Sequence, residues 1–314
     1  MRIRSGGHDF EGSSCTSNVP FFVLNMSNFR SISIDIKGRT AWVGAGATVG
    51  EVYNSIYEAN STLGFPAAYC PTVGIGGHIS GGGYGPLVRQ FGLNTDNVID
   101  ARVINANGRV LDRKSMGEDL FWAIRGGDGA SFAVILGYKL KLVEIPEKVT
   151  AFSINRTWEQ NATQLLYKWQ YIAPKLPLNL VITPQIVSIN SNQTGKRTVQ
   201  VTFVSVFRGK VDELLSIMNQ QFPELGLKKE DCTEMLWIQY FAYASGLPTS
   251  NITESLTSRV SSAKLYYKAK SDFVKEPIPE NGIEEILRTL NELPPFVGML
   301  EWNHFGGRVM ETIP

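Results

Sequence analysis

Tyr69-Cys70-Pro71-Thr72-Val73-Gly74-Ile75-Gly76-Gly77-His78-Ile79-Ser80-Gly81-Gly82-Gly83-Tyr84-Gly85 places seven glycines in its last twelve residues. Glycine loses more backbone freedom on folding than any other residue, so a run this dense weakens a helix or strand and needs a reason. Positive φ angles and unobstructed backbone N–H groups would let such a chain wrap an anion such as pyrophosphate. A flexible linker is the alternative, and the interspersed Ile75, Ile79 and Tyr84 argue against it because they suggest packing. A second stretch, Arg4-Ser5-Gly6-Gly7-His8, sets adjacent glycines and a histidine in a turn after a strand. On residue type alone His8 reads as a surface histidine and Cys70 as a buried thiol.

Composition narrows the classes of function. The chain has 314 residues and is 43% hydrophobic, which suits a globular protein of two domains or one large one. Lys and Arg total 30 against 29 Asp and Glu, for a net charge of +1, so no basic field exists to gather phosphate backbones and nucleic acid is not expected as a partner. No apolar run approaches the roughly 20 residues that span a bilayer. A soluble monomer is expected. Cys15, Cys70 and Cys232 form neither a metal-ligand spacing nor a disulfide framework, and no metal is expected. Cys232 reads as a buried thiol, and Cys15 stays unassigned. Asn25, Asn60, Asn155, Asn161, Asn192 and Asn251 head Asn-X-Ser/Thr sequons, a frequency that favours a secreted glycoprotein of the cell wall or vacuole. Yet Met1 runs straight into the strand-like Arg2-Ile3-Arg4, with no room for a signal peptide.

Hydrophobic periodicity divides the chain near Pro146. Before it, strands are expected at 21–25, 31–36 and 40–43, and Thr48-Val49-Gly50-Glu51 fits a capping box that opens a helix to about Asn60. Asn107-Gly108 marks a hairpin within 101–112, a helix is expected over 117–125, and a long strand over 131–143. Beyond Pro146 glycine thins out. Helices are expected at 158–172, 211–221 and 283–290, with strands at 180–189, 198–207, 263–269 and 299–304, a pattern that suits a mostly antiparallel sheet with helices on one side. The expected division is 1–147 and 148–314. Gly44-Ala45-Gly46-Ala47-Thr48-Val49-Gly50 follows a strand and opens a helix like a dinucleotide fingerprint, but its glycine spacing is off. No acidic residue follows about 20 positions on.

The paired stretches from Arg4 to Gly12 and from Tyr69 to Gly85 resemble the signature of the berberine bridge enzyme-like flavoproteins. Residues 97–113 and 117–127 continue the likeness. The resemblance implies an α+β fold: a PCMH-type FAD-binding domain of the vanillyl-alcohol oxidase kind, then an α/β substrate domain. It implies FAD joined covalently at two points, through the flavin 8α-methyl carbon to His8 and through C6 to Cys70. Ser5, Gly6, Gly7, Gly74, Gly76 and Gly77 are further implied cofactor contacts, as are His78, Gly81, Gly82 and Gly83. Tyr69 and Tyr84 are implied substrate contacts, and Val73 stands where side-chain size gates oxygen. The expected reaction is hydride transfer from an alcohol or amine-bearing carbon to FAD, with O2 as acceptor. A carbohydrate is the first expected substrate, a monolignol or alkaloid the second, and a non-catalytic flavin-binding protein the remaining possibility.

Two departures stand out. Phe10 replaces a tyrosine common two places after the histidine, and Asp128 stands where glycine is usual, so it is expected to turn toward solvent. The resemblance further implies a longer protein, with a strand–helix unit and signal peptide ahead of Arg2 and a catalytic base beyond Pro314. His304 is left open. The 314-residue chain alone is expected to be inactive.

Overall fold

A computed structural model describes residues 1–12, 14, 16–260 and 266–307. Cys15, the first part of the strand expected at 263–269, and the C-terminal residues 308–314 lie outside the described residues. The chain forms two compact units. The first contains Met1–Glu147 together with Trp237–Lys270, and the second contains Lys148–Leu236 and residues 271–307.

The first unit is built on a five-stranded antiparallel sheet in the order Ile32–Asp35, Thr40–Gly44, Val134–Lys141, Val98–Ile104, Val110–Leu111. Ala41, Val43, Ala101, Val103, Tyr138 and Leu140 from these strands are buried. The helix Val49–Ala59 starts where its sequence directs. Thr48 accepts from the Glu51 amide, and the Glu51 carboxylate accepts from the Thr48 amide. Its Val49, Val52, Tyr53 and Ile56 are buried, an i, i+3, i+4, i+7 stripe. Arg2–Arg4 pairs in parallel with Val23–Asn25, so the strand expected at 21–25 is shorter than its apolar run.

Two expected elements have different bounds for local reasons. The helix expected from Gly117 begins at Arg113 with Asp112 as its cap, and Gly117 itself breaks it with a φ of 77°. The helix expected from Trp158 is a 3-10 turn, Trp158–Gln160, then Ala162–Ile172, because Asn161 takes the left-handed region at φ 62°.

The second unit carries an antiparallel sheet in the order Cys232–Leu236, Lys148–Thr157, Arg197–Phe207, Leu180–Asn190, Met299–Glu301. Alternate residues of the central strands point into one core: Phe152 and Ile154, then Leu180, Ile182 and Ile186, then Val199, Val201, Phe203 and Phe207. The helices Ala162–Ile172, Val211–Gln221 and Glu280–Glu292 close it with Leu165, Leu166 and Trp169, with Leu214 and Met218, and with Ile283, Leu287 and Leu290. The strands Lys148–Thr157 and Cys232–Leu236 were not anticipated. The strand expected at 299–304 ends at Glu301, leaving His304 buried past its end with its ring edge-on to Trp169.

Candidate functional site

The two glycine stretches meet in the first unit because each offers the other a bare backbone. A Cβ on Gly6 would lie 2.3 Å from the Gly74 nitrogen, and one on Gly74 would lie 2.1 Å from the Gly6 nitrogen. No side chain fits between them. Beside the crossing, the Ser5 hydroxyl donates to the Ala45 carbonyl at 2.5 Å, and a Cβ on Gly76 would press to within 2.7 Å of the same oxygen. Ser5, Gly6, Gly74 and Gly76 are therefore committed to holding the two loops together.

The second loop is also fastened to the start of the Val49–Ala59 helix. Val49 N–H donates to the Val73 carbonyl at 2.8 Å, Gly50 N–H to the Pro71 carbonyl at 2.9 Å, and Ile75 N–H to the Ala47 carbonyl at 2.9 Å. With the Glu51 amide on Thr48, the first amides of this helix are all engaged. The dinucleotide-like turn at 44–50 therefore does not present an anion site. Its glycines serve close packing: a Cβ on Gly46 would lie 1.8 Å from the Met26 carbonyl, and one on Gly50 2.0 Å from that of Leu256.

This framework places His8 and Cys70 on adjoining loops. His8 Nε2 lies 2.8 Å from the Thr72 hydroxyl, two residues beyond Cys70. Partial burial lowers the His8 pKa from its usual value, and a hydrogen bond with the Thr72 backbone only partly offsets this, so the ring is neutral at neutral pH. Cys70 is an exposed free thiol whose pKa burial pushes up. Val73 is half-buried, closing a turn through its N–H to the Cys70 carbonyl at 3.3 Å. The Tyr69 carbonyl accepts from the Ser245 hydroxyl at 3.1 Å, and its ring stands edge-on to Tyr240, 6.2 Å between centroids. Tyr84 is exposed on the same glycine run.

The short helix Ile75–Ser80 separates two faces. Ile75 and Ile79 are fully buried, while Gly77 and Gly81, also four residues apart, are exposed. Nothing lies within 4 Å of where a Cβ on Gly77 or Gly82 would stand. Gly82, Gly83 and Gly126 have positive φ angles of 99°, 70° and 116°, and a Cβ on Gly126 would come within 4.0 Å of Gly82. Gly7, at φ 80°, completes the turn before His8. Of these glycines Gly77, Gly81 and Gly126 are exposed, whereas Gly82 is buried and a Cβ on Gly83 would lie 2.0 Å from Asn94 Oδ1. His78 faces inward: its Nε2 accepts from the Ala68 amide at 3.1 Å, and burial lowers its pKa to about 4. Asp128 is exposed as expected, at φ 61°.

Several supporting residues escaped the sequence. Asn94, fully buried, donates its side-chain amide to the Pro66 carbonyl, while its backbone N–H donates to Gly83 at 3.0 Å. Ser80 reaches Tyr138 at 3.2 Å and its carbonyl accepts from the Asp128 amide at 3.0 Å. Near His8, the exposed Phe10 ring stands edge-on to Tyr267 at 5.6 Å, and Glu11 pairs with Lys268. Cys232 lies apart at a strand start, half-buried, with its pKa raised to about 11 by burial and then by Asp231 and Glu234. Among the described residues no group of three potential metal ligands occurs and no helix is long and apolar enough to cross a membrane.

The unit that holds both glycine stretches, His8 and Cys70 contains an FAD-binding domain: residues 1–113 match the FAD binding domain family. Along its whole length the chain is 52% identical, over 316 residues, to berberine bridge enzyme-like 5 from Arabidopsis thaliana, covering 59% of that relative. It superposes on the berberine bridge enzyme-like protein 28 from Arabidopsis thaliana with a TM-score of 0.92 at 46% identity, covering 99% of this chain and 63% of that one. Phl p 4, a grass pollen allergen with glucose dehydrogenase activity, gives a TM-score of 0.91 at 39% identity over 99% of this chain and 62% of that one. An isoleucine-to-valine variant of Phl p 4 is a glucose oxidase, and a berberine bridge enzyme variant with a TM-score of 0.92 and 41% identity, over 99% of this chain and 61% of that one, is a reticuline dehydrogenase. Along its whole length the chain is thus similar to the berberine bridge enzyme-like proteins, and its first 113 residues match the FAD binding domain family. It spans 59% of the length of the curated relative above.

Proposed function

We propose that the whole protein is a monomeric, FAD-dependent oxidase that removes a hydride from an alcohol carbon of a carbohydrate, with O2 as acceptor. FAD supplies the redox chemistry when bound; the residues of this chain hold and orient it. The observation that supports the proposal is the Gly6–Gly74 crossing, which joins the loop of His8 to the loop of Cys70, with His8 Nε2 2.8 Å from the Thr72 hydroxyl. A neutral imidazole and a thiolate are the nucleophiles that two covalent attachments require; His8 is neutral, while Cys70, its pKa raised, has to lose its proton to attack. Tyr69 and Tyr84 are the proposed substrate contacts, and Val73 leaves room for oxygen. An alkaloid or aromatic alcohol is the second substrate class, favoured by the reticuline-oxidising relative.

The flavin is expected to stay with the protein through acid precipitation, since unfolding breaks no covalent bond. His8→Ala and Cys70→Ala should each leave one attachment, and the double variant only dissociable FAD. An unmodified Cys70 peptide in fully loaded protein, seen by mass spectrometry, would refute attachment at two points. Hydrogen peroxide release over a panel of oligosaccharides and aromatic alcohols then assigns the substrate class.

We also propose that the protein is a secreted glycoprotein. Asn25, Asn155, Asn161, Asn192 and Asn251 are exposed, as glycan acceptors must be. Endoglycosidase treatment of protein from plant tissue should increase its gel mobility; unchanged mobility and an unglycosylated mass would exclude this.

A further inference from the structure

We propose that Thr72 is a positioning residue that aims His8 at the flavin, so that the loop carrying one attachment point also directs the other. This rests on the attachment of flavin to His8 argued above. His8 sits in a turn with Gly7 at φ 80° before it and the exposed Phe10 after it, so little in its own loop fixes the ring. The Thr72 hydroxyl, 2.8 Å from Nε2, supplies the fix from the neighbouring loop. That loop is itself rigid. Gly74 is locked against Gly6, the Pro71 and Val73 carbonyls accept from the start of the Val49–Ala59 helix, and Pro71 restricts the backbone beside Cys70.

The chemistry calls for a hydroxyl at this place. With Nε2 engaged by Thr72, Nδ1 is the nitrogen left to attack. Attachment forms a bond between Nδ1 and the methyl carbon of the flavin and breaks one methyl C–H bond. The methyl hydrogen and the imidazole N–H hydrogen leave as protons, and the electron pair passes through the ring to dioxygen, giving hydrogen peroxide. Before the bond forms, Nε2 carries the proton and Thr72 Oγ1 accepts it. Afterwards Nε2 is an acceptor and the same hydroxyl donates. A hydroxyl can do both, and a methyl can do neither. Holding a nucleophile in one orientation is worth far more than its bare hydrogen bond suggests, because misaimed encounters do not react.

The test compares Thr72→Val and Thr72→Ser with the unsubstituted protein, each sampled from the moment FAD is added to flavin-free protein. The fractions of His8 and Cys70 peptides carrying flavin are measured by mass spectrometry over a time course of loading. The expected result is His8 attachment slowed about tenfold or more in Thr72→Val, with Cys70 attachment retained and with near-normal His8 attachment in Thr72→Ser. Retained Cys70 linkage shows that the valine variant folds and binds flavin. Equal His8 attachment in all three proteins overturns the proposal. Loss of both linkages in the valine variant also overturns it, since that marks a disturbed loop rather than a misaimed ring. A His8 peptide free of flavin in the unsubstituted protein removes instead the attachment reading beneath it.

Discussion

At the scale of single residues, neighbouring glycines in one run do opposite work. Gly74 is glycine because its partner backbone leaves no room, whereas Gly77 is glycine although its surroundings are empty. Gly74→Ala should cost about 1–3 kcal/mol through forced backbone displacement and should lower the melting temperature. Gly77→Ala, in an exposed helical position, should leave stability unchanged or raise it by up to about 1 kcal/mol. Its methyl would cover the exposed backbone there, so it should weaken flavin loading, read as the flavin-to-protein absorbance ratio. Full loading together with unchanged stability would show that Gly77 does not face the cofactor. The sequence announced a purpose for these glycines but could not sort them, because a Cβ clash is set by atoms from distant parts of the chain.

At the scale of elements, the start of the Val49–Ala59 helix bears the most interactions. Glu51 caps it and accepts from Arg259 Nε at 3.0 Å and Nη2 at 2.7 Å, and Arg259 also reaches the Gly46 carbonyl at 2.6 Å. Burial by itself would raise the Glu51 pKa; the hydrogen bonds from Arg259 and Thr48 and the charges of Arg259 and Arg30 outweigh it and lower the value. A depressed carboxylate contributes stability that is present above its unfolded pKa and lost as pH falls through its folded value. Arg259→Ala should thus destabilise by about 1.5–3 kcal/mol at neutral pH. The deficit should shrink in acid, below the ordinary carboxylate range. Thermal melts across that range check it, and a deficit independent of pH would assign Arg259 a packing role only. The capping box was legible because its signal is local. The arginine was not, since it lies about two hundred residues away. The helix Trp237–Ala244 was missed for a related reason: eight residues so largely apolar carry no periodicity that separates helix from buried strand.

At the scale of the whole molecule, the choice of electron acceptor is proposed to turn on one side chain against the fixed loop. Val73→Ile should slow reoxidation of the reduced flavin by air while leaving its reduction by substrate unchanged. Equal reoxidation rates in stopped flow would remove Val73 as the gate. The sequence by itself determined the family likeness, the FAD-binding domain, the capped helix and the alternating strands of the second sheet. Those features rest on short-range patterns, such as glycine spacing, capping residues and a period of two, that are complete within a few dozen residues. Tertiary structure decided the rest. It returns Trp237–Lys270 to the first unit, where Phe241 stacks on Tyr53 at 3.7 Å and Ser245 holds the Tyr69 carbonyl. It sets Thr72 against His8 across 64 positions of sequence and divides the glycines between packing and open surface. Local preference cannot specify such contacts, because each depends on where the folded backbone carries two separate segments into the same few ångströms of space.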